Sequence, residues 1–412
     1  MALRSEFVVR RFLCAAAFVF LVASVRSVFA QEAFDDADLR KQLALGKSLL
    51  GKTPDPAAVQ YFIAGTHALL HEPFEAMASL KECILAKEGF DPSHDPLFVG
   101  LKYSTEFQHL TELVDKDFPE VARAQQAFTI PEKDLIPEGL AYDSSLDVFY
   151  LGSLHLKKIL RIPREAPSRI SDFVAGDRYN LLPILGIRMD PSDGSVWSAS
   201  WLDNGLTELL HFDKSGKLLS RYPLHEDAKN GFNDLVVLRD GWIYVTDTAG
   251  NQVYRFDPKS KTFDALRFSR ALYQPNGIAI SNDEHALYVA DTFGVLRYDI
   301  ASGHSAEVSP GASSTLAGAD GLYWHKGWLV AVQNGIGSPR IAAFELSSDG
   351  LHVTKTEILE NRSPYTILPT TGAIRGDQFY FIVNSQIDNL NGDRILDVTT
   401  LAPVRIGVLD LP

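Results

Sequence analysis

Oxygen-bearing side chains recur at one position of a pattern that the chain repeats six times. In each repeat a pivot residue, glycine in five cases and aspartate in one, leads into an apolar run with the alternation of a β-strand. The residues immediately before the six pivots are Glu138, Leu185, Asn233, Asn276, Asp320 and Thr371. Four of these side chains end in a carboxylate or a carboxamide, and none is cysteine or histidine. If the six positions converge, the sequence predicts a binding site for a hard cation.

The charges and the ligand types of this set favour calcium. Glu138 and Asp320 supply two negative charges, which balance a divalent ion, and Asn233 and Asn276 add neutral oxygens. Calcium takes roughly six to eight oxygen ligands in a flexible geometry, whereas magnesium demands a tight octahedron. We therefore predict one calcium ion at these four residues, with other divalent ions as the alternative. The same residue types also favour turns and strand starts, so a purely structural role stays open.

The spacing of the repeats indicates how the chain would bring these positions together. Successive units follow one another every 40–50 residues or so, and each reads as up to four short strands separated by polar turns. Such units are typical of β-propeller blades, in which the innermost strands surround a central channel. Six units predict an all-β, six-bladed propeller over residues 127–412. The last blade is closed either by residues 404–411 or by the strand before Pro131; the sequence leaves both open.

Residues 31–126 follow a helical period and predict a small all-α domain. The helix pair at residues 57–89 resembles a tetratricopeptide hairpin. So short an array needs support from the propeller or from a protein partner, and a docking role stands beside a simple packing or spacer role. Five residues have the character of helix boundaries, three as N-caps and two as C-terminal stops: Asp35, Asp55 and Ser104, and Gly51 and Gly89.

Residues 1–30 have the features of a secretory signal peptide. Arg4, Arg10 and Arg11 precede a short apolar run, and the segment ends in the cleavage site Val28-Phe29-Ala30. The mature chain would begin at Gln31 and would be periplasmic or secreted, without a membrane span. An uncleaved anchor is the alternative, although the apolar run is short for a bilayer span.

Charge, cysteine content and motifs disfavour several classes of protein. The formal net charge of −13 argues against nucleic-acid binding and suits a cationic metal or a small molecule. Cys14 leaves with the signal peptide, so Cys83 has no partner for an intramolecular disulfide; its surroundings predict a buried apolar residue. The sequence contains no G-x-S-x-G motif and no Cys–His pairing, which disfavours a serine or thiol hydrolase.

The repeat and its oxygen-bearing pairs resemble the senescence-marker-protein/gluconolactonase family. The pairs are Glu138-Gly, Asn233-Asp, Asn276-Gly and Asp320-Gly, and PNGIAIS…LYVADT is the most specific segment. The family is related to diisopropyl fluorophosphatase, the paraoxonases and strictosidine-synthase-like propellers. The resemblance implies a calcium ion at the mouth of a six-bladed tunnel, held by these four residues. It also implies a base or nucleophile at Asp320, although bound calcium would lower the pKa of that carboxyl.

The loops after the second strands of the blades would return to the same end of the channel as the four ligands. Trp201, Asn334 and Gln386 lie in these loops and are predicted to bind substrate. His155 is the second catalytic candidate, as a proton shuttle, with a solvated loop histidine as the alternative. Sugar-lactonase members of the family carry an arginine where this chain has Gly231. Unless Lys229 replaces that charge, gluconolactone itself is in doubt.

The leading hypothesis from the sequence is an exported, calcium-dependent hydrolase that opens a lactone or ester. One alternative is a non-enzymatic propeller that binds a small ligand while the helical domain docks a protein partner. Another is a strictosidine-synthase-like enzyme, which would need an acidic residue to grip an amine at the mouth.

Overall fold

A computed structural model describes residues 35–202, 205–224 and 229–412. The predicted signal peptide, residues 1–30, lies outside the described residues. Within the described residues, no helix combines the length and the apolar character that a bilayer span requires.

Four α-helices of the described chain form a helical module before the propeller. They are α1 (Asp36–Leu49), α2 (Pro56–Leu69), α3 (Pro73–Leu85) and α4 (Thr105–Asp117). The three predicted N-caps are confirmed, because the side chains of Asp35, Asp55 and Ser104 each accept a hydrogen bond from a backbone N–H of the first turn. Cys83 is buried in the core of this module, and burial raises the pKa of its thiol. The likeness to a tetratricopeptide array stays a prediction.

The predicted helical period is wrong at its C-terminal end. Pro119 disfavours the helical conformation at the preceding residue, and α4 ends at Asp117. Strand β1 (Val121–Ala122) follows and pairs with the edge of a propeller blade. The carboxylate of Glu360 accepts hydrogen bonds from the N–H groups of Arg123 and Ala124, both at 2.9 Å. The chain thus enters the propeller as an extended segment, which continues as β2 (Gln125–Ile130).

Six antiparallel sheets form the predicted six-bladed propeller. Blades one to three are β3 (Pro137–Asp143), β4 (Val148–Ser153), β5 (Ile159–Pro163) and β6 (Ser171–Val174); β7 (Ile184–Met189), β8 (Val196–Leu202), β9 (Leu206–Phe212) and β10 (Leu218–Pro223); and β11 (Phe232–Val237), β12 (Ile243–Asp247), β13 (Gln252–Asp257) and β14 (Thr262–Ala265). Blades four and five are β15 (Ile278–Ile280), β16 (Ala286–Asp291), β17 (Gly294–Asp299) and β18 (Ser305–Glu307); and β19 (Ala319–His325), β20 (Trp328–Gln333), β21 (Arg340–Leu346) and β22 (Val353–Asn361), with β1 outside β22.

Blade six uses both of the strands that the sequence offered for closure. Its inner strands are β23 (Gly372–Arg375) and β24 (Gln378–Ile382). A hairpin of β25 (Leu390–Asn391) and β26 (Arg394–Ile395) interrupts the blade, and β27 (Val404–Asp410) then pairs with β24 on one side and β2 on the other. The N-terminal and C-terminal strands of the propeller therefore close the circle together.

Apolar side chains fill all six gaps between neighbouring blades. Because successive residues of a strand point to opposite faces, one strand serves two gaps. Phe149 packs toward blade six, for example, whereas Tyr150 packs toward blade two. This packing holds the six inner strands at fixed places around the axis.

Candidate metal centre

The inner strands meet so closely that four of the six pivot positions need glycine. An added Cβ atom on any of these four would lie within about 3 Å of the backbone of the next blade. The distances are 1.9 Å from Gly139 to Leu185 O, 2.7 Å from Gly186 to Asn233 O, 2.6 Å from Gly277 to Asp320 O and 3.0 Å from Gly321 to Thr370 O. These contacts join blades one to two, two to three, four to five and five to six.

Hydrogen bonds complete the two remaining joints of this circle. The hydroxyl of Thr246 in blade three donates to Asn276 O in blade four at 2.8 Å. The hydroxyl of Thr371 in blade six donates to Glu138 O in blade one. The six predicted positions therefore form one closed circle, which we call the oxygen ring after its four oxygen-bearing side chains, Glu138, Asn233, Asn276 and Asp320.

The oxygen ring is buried and partly unsatisfied. All six of its positions are at most 5% exposed. Glu138 Oε2 and Asn276 Oδ1 are buried without a hydrogen-bond partner among the described residues. The amide nitrogen of Asn233 donates a hydrogen bond to Thr248 Oγ1 at 3.1 Å and not to either of these two oxygens. Unpaired buried oxygens are costly and call for a ligand that the protein does not supply.

Electrostatics point to a cation as that ligand. Burial, and then the negative charge of Asp320, raise the pKa of Glu138 well above its usual value. Burial also raises the pKa of Asp320, although hydrogen bonds from Asn334 and Asn276 oppose this shift. Asn334 Nδ2 lies 2.6 Å from Asp320 Oδ2. A divalent cation would balance the two carboxylates and take up the unpaired oxygens, so the four side chains fit the predicted calcium ion.

An ion pair that the sequence analysis missed lies beside the ring. Arg188 in blade two donates to Asp234 Oδ2 in blade three at 2.7 Å. Its guanidinium also lies 5.5 Å from the ring centroid of Tyr323 in blade five, so this side chain links three blades. Arginine within the otherwise apolar run of an inner strand was the available sequence signal. Asp234 follows Asn233 directly, and its charge adds to the negative potential at Glu138 and Asp320.

The predicted substrate residues occupy different surroundings. Asn334 is close to the ring, bonded to Asp320. Gln386 is partly buried and donates to the carbonyl oxygens of Lys133 and Ala402 at 3.2 and 3.1 Å. Trp201 is buried in an apolar cluster at the mouth, which we call the mouth cluster: Ile136, Leu154, Leu185, Trp201, Ile387 and Leu401.

The indole of Trp201 explains why residue 231 is a glycine. A Cβ atom on Gly231 would lie 2.4 Å from the indole atom Cε2, so no larger side chain fits there while the indole keeps its place. Gly231 N also donates to Asp247 Oδ1 at 2.7 Å, so the carboxylate of Asp247 holds the backbone at this glycine.

His155 lies in a separate environment. Its Nδ1 is 2.9 Å from Asp134 O, and the side chain lines a cavity of about 560 Å³. No residue of the oxygen ring is among the residues that line this cavity. The other lining residues are Lys133, Asp134, Asp393, Arg394, Ile395, Val398 and Leu401.

Comparison with solved structures shows the propeller fold. The PQQ-bound aldose sugar dehydrogenase from Streptomyces coelicolor is 15% identical, with a TM-score of 0.50, and the match covers 71% of this chain and 99% of that one. A gluconolactonase from Xanthomonas campestris is 17% identical, with a TM-score of 0.48 and coverage of 71% and 96%. Virginiamycin B lyase from Staphylococcus aureus is 15% identical, with a TM-score of 0.49 and coverage of 70% and 99%.

Sequence comparison is more specific over part of the propeller. No curated protein sequence matches this chain. A family model does match, over residues 219–311, and its description is the SMP-30/Gluconolactonase/LRE-like region. This span contains Asn233 and Asn276, the neighbouring amides of the oxygen ring. The predicted resemblance is thereby confirmed over residues 219–311, the span that matches this family model.

Proposed function

We propose that this protein is an exported, calcium-dependent hydrolase of the gluconolactonase type, which opens a lactone or an ester. The family match supports a lactonase-type hydrolase in general terms. The observation that carries the calcium dependence is the buried oxygen ring, in which Glu138 Oε2 and Asn276 Oδ1 have no partner among the described residues. Export rests on the signal sequence of residues 1–30, and a mature N-terminus at Gln31 in the exported protein would support it.

The chain supplies the groups that the hydrolysis needs. Bound calcium would withdraw electrons from the carbonyl of the substrate and favour the negative charge that develops there. Asp320 is the better candidate for the base that accepts a proton from the attacking water. Asn334 and Asn276 fix its orientation beside the ion. Burial raises the pKa of the metal-free carboxyl whereas bound calcium would lower it, so position and not basicity is the argument for Asp320. His155 is a weaker candidate, since the cavity that it lines contains no residue of the ring.

The mouth cluster favours a substrate with an apolar body. Leu185 occupies a ring position and packs with Trp201, and the indole fills the space beside Gly231. A sugar lactone presents several hydroxyl groups, which would lose hydrogen bonds to water against these side chains. We therefore expect lactones or esters with alkyl or aryl substituents to be turned over faster than gluconolactone.

Elemental analysis of the purified protein, followed by hydrolysis assays with and without a chelator, tests this proposal. We expect bound calcium, turnover that stops on chelation and returns with calcium, and loss of turnover in Asn276→Ala. The matched control is Asn282→Ala, an exposed asparagine in the turn of the same blade, which should hydrolyse normally. Hydrolysis that survives chelation would refute the calcium mechanism. Calcium binding without turnover across lactones, esters and phosphotriesters would instead favour a ligand-binding propeller.

A further inference from the structure

We propose that the helical module, α1–α4, positions the half of the oxygen ring that blades four and five contribute, so that calcium affinity depends on how this module is docked. The inference rests on the proposed calcium site. It gives the helices a role at that site, in addition to any role in stability or partner binding. Two independent sets of contacts carry it, one ending at Asn276 and the other at Asp320.

The first set runs through an aromatic group at the entry to blade four. Phe62 on α2 packs edge-on against Tyr273 and Phe293, with ring centroids 5.4 and 5.1 Å away. Tyr273 and Phe293 lie on the two chain segments that meet beside Asn276, because Thr292 N donates to Tyr273 O at 3.0 Å. Three residues after Tyr273, Asn276 N donates to Ala290 O at 2.9 Å. Phe62 thus fixes the segment from which the Asn276 side chain projects.

The second set runs through the loop after β20. Asp91, between α3 and α4, donates its N–H to Ile336 O at 2.9 Å and accepts a hydrogen bond from Ser338 Oγ at 2.6 Å. A Cβ atom on Gly337 would lie 1.8 Å from Asp91 O, so the two backbones are in direct contact. The same loop begins with Asn334, whose amide holds the carboxylate of Asp320.

The two sets converge, since the side chain of Asn276 is itself hydrogen-bonded to Asp320. A shift of either loop would therefore move both ligands. The opposite side of the ring has different support. Among the residues that the structure describes, the mouth cluster around Leu185 consists of propeller residues alone, without a member from the helices. An effect of the helical module should for this reason appear at blades four and five and be absent from blade one.

Phe62→Ala in the full-length protein tests the proposal, with Phe107→Ala as the matched control. Phe107 is a buried phenylalanine on α4, in the apolar core that the helices share with Ala317 and Ile336 of the propeller, whereas Phe62 packs against Tyr273 and Phe293. Deuterium uptake of the metal-free protein is compared between residues 273–292 and residues 137–153, and calcium chloride is titrated calorimetrically. Phe62→Leu, which restores an apolar side chain, serves as the rescue. Ser338→Ala is a milder change to the second set of contacts and replaces Phe62→Ala if that variant does not fold.

We expect Phe62→Ala to raise deuterium uptake at residues 273–292 and to leave residues 137–153 unchanged. Calcium affinity should fall about 10–100-fold, as for the loss of other groups that orient metal ligands, and Phe62→Leu should recover most of it. Phe107→Ala should lower the melting temperature with little change in affinity. The proposal is overturned if folded Phe62→Ala keeps wild-type uptake and affinity, or if Phe107→Ala weakens calcium binding equally at the same loss of stability. Should the wild type bind no calcium, the proposed function fails, and deuterium uptake alone still decides whether the helices hold this half of the ring.

Discussion

Gly277→Ala is the sharpest test of the packing that forms the oxygen ring. An added Cβ would lie 2.6 Å from both Asp320 O and Leu322 N. Both atoms belong to the backbone of blade five, so neither can rotate away as the end of a flexible side chain could. Ordinary contacts of a Cβ atom begin near 3.4 Å, and the inner strand of blade five would have to retreat by about 0.8 Å. The φ angle of Gly277 lies outside the left-handed region, so the effect of alanine is steric and not conformational.

The expected consequences are a modest loss of stability and a large loss of metal binding. Crowding of this kind in a packed interior typically costs about 1–3 kcal/mol. A binding constellation tolerates displacements of only about 0.5 Å, and the retreating strand carries Asp320. Calcium affinity should therefore fall by at least about tenfold, as when a supporting group of a metal site is lost.

Thermal unfolding and calcium titration of Gly277→Ala measure both effects. The control is Gly100→Ala, because a Cβ at Gly100 meets no atom within 4 Å and its φ is not left-handed. We expect the control to match the wild type. If Gly277→Ala melts and binds calcium like the wild type, the close approach of blades four and five does not determine the geometry of the ring, and the reasoning is wrong.

Two further predictions concern charged groups that are partly or fully buried in the structure. Arg188→Met leaves the carboxylate of Asp234 without its cation, which should lower the free energy of unfolding in urea by about 3–5 kcal/mol. The double variant with Asp234→Asn should recover most of this loss. A double variant no more stable than Arg188→Met would contradict the buried ion pair as the cause. Burial, with the nearby charge of Asp55, raises the pKa of Glu88 from 4.5 to about 9, so the folded protein keeps a proton that the unfolded chain loses. Stability should therefore fall as the pH rises through this window, and an unchanged slope in Glu88→Gln would exclude Glu88 as the cause.

The propeller and the membership of its ring followed from the sequence because a repeat converts positions along the chain into positions in space. Asn233 and Asn276 sit at the same point of neighbouring units, and the pivots after them show how closely the blades approach. Local patterns were sufficient for the helix caps as well, since a cap such as Asp55 bonds to the first turn of its own helix.

Contacts between distant segments leave no comparable pattern in the sequence. The hydrogen bond from Ser338 to Asp91 joins residues 247 positions apart, and Asp91 lies outside the repeats. Trp201 was predicted to bind substrate from the loop after the second strand, but it lies within β8 and its indole packs against Gly231. Strand β1 was read as helix because its short apolar pattern extends that of α4, while its pairing partner lies in blade five.

The oxygen ring is asymmetric, and this asymmetry combines what the repeat predicts with what contacts between distant segments add. Six equivalent positions follow from the repeat, but the oxygen-bearing residues Asn233, Asn276 and Asp320 are consecutive, whereas Glu138 stands between Thr371 and Leu185. The helices pack against the loops that lead to Asn276 and Asp320, and the apolar mouth cluster packs beside Leu185. A symmetric scaffold thus acquires one side that the helices support and another, beside Leu185, that apolar side chains of the propeller support. Because the helices lie outside the repeat, the repeat alone could predict which residues meet and not what surrounds them.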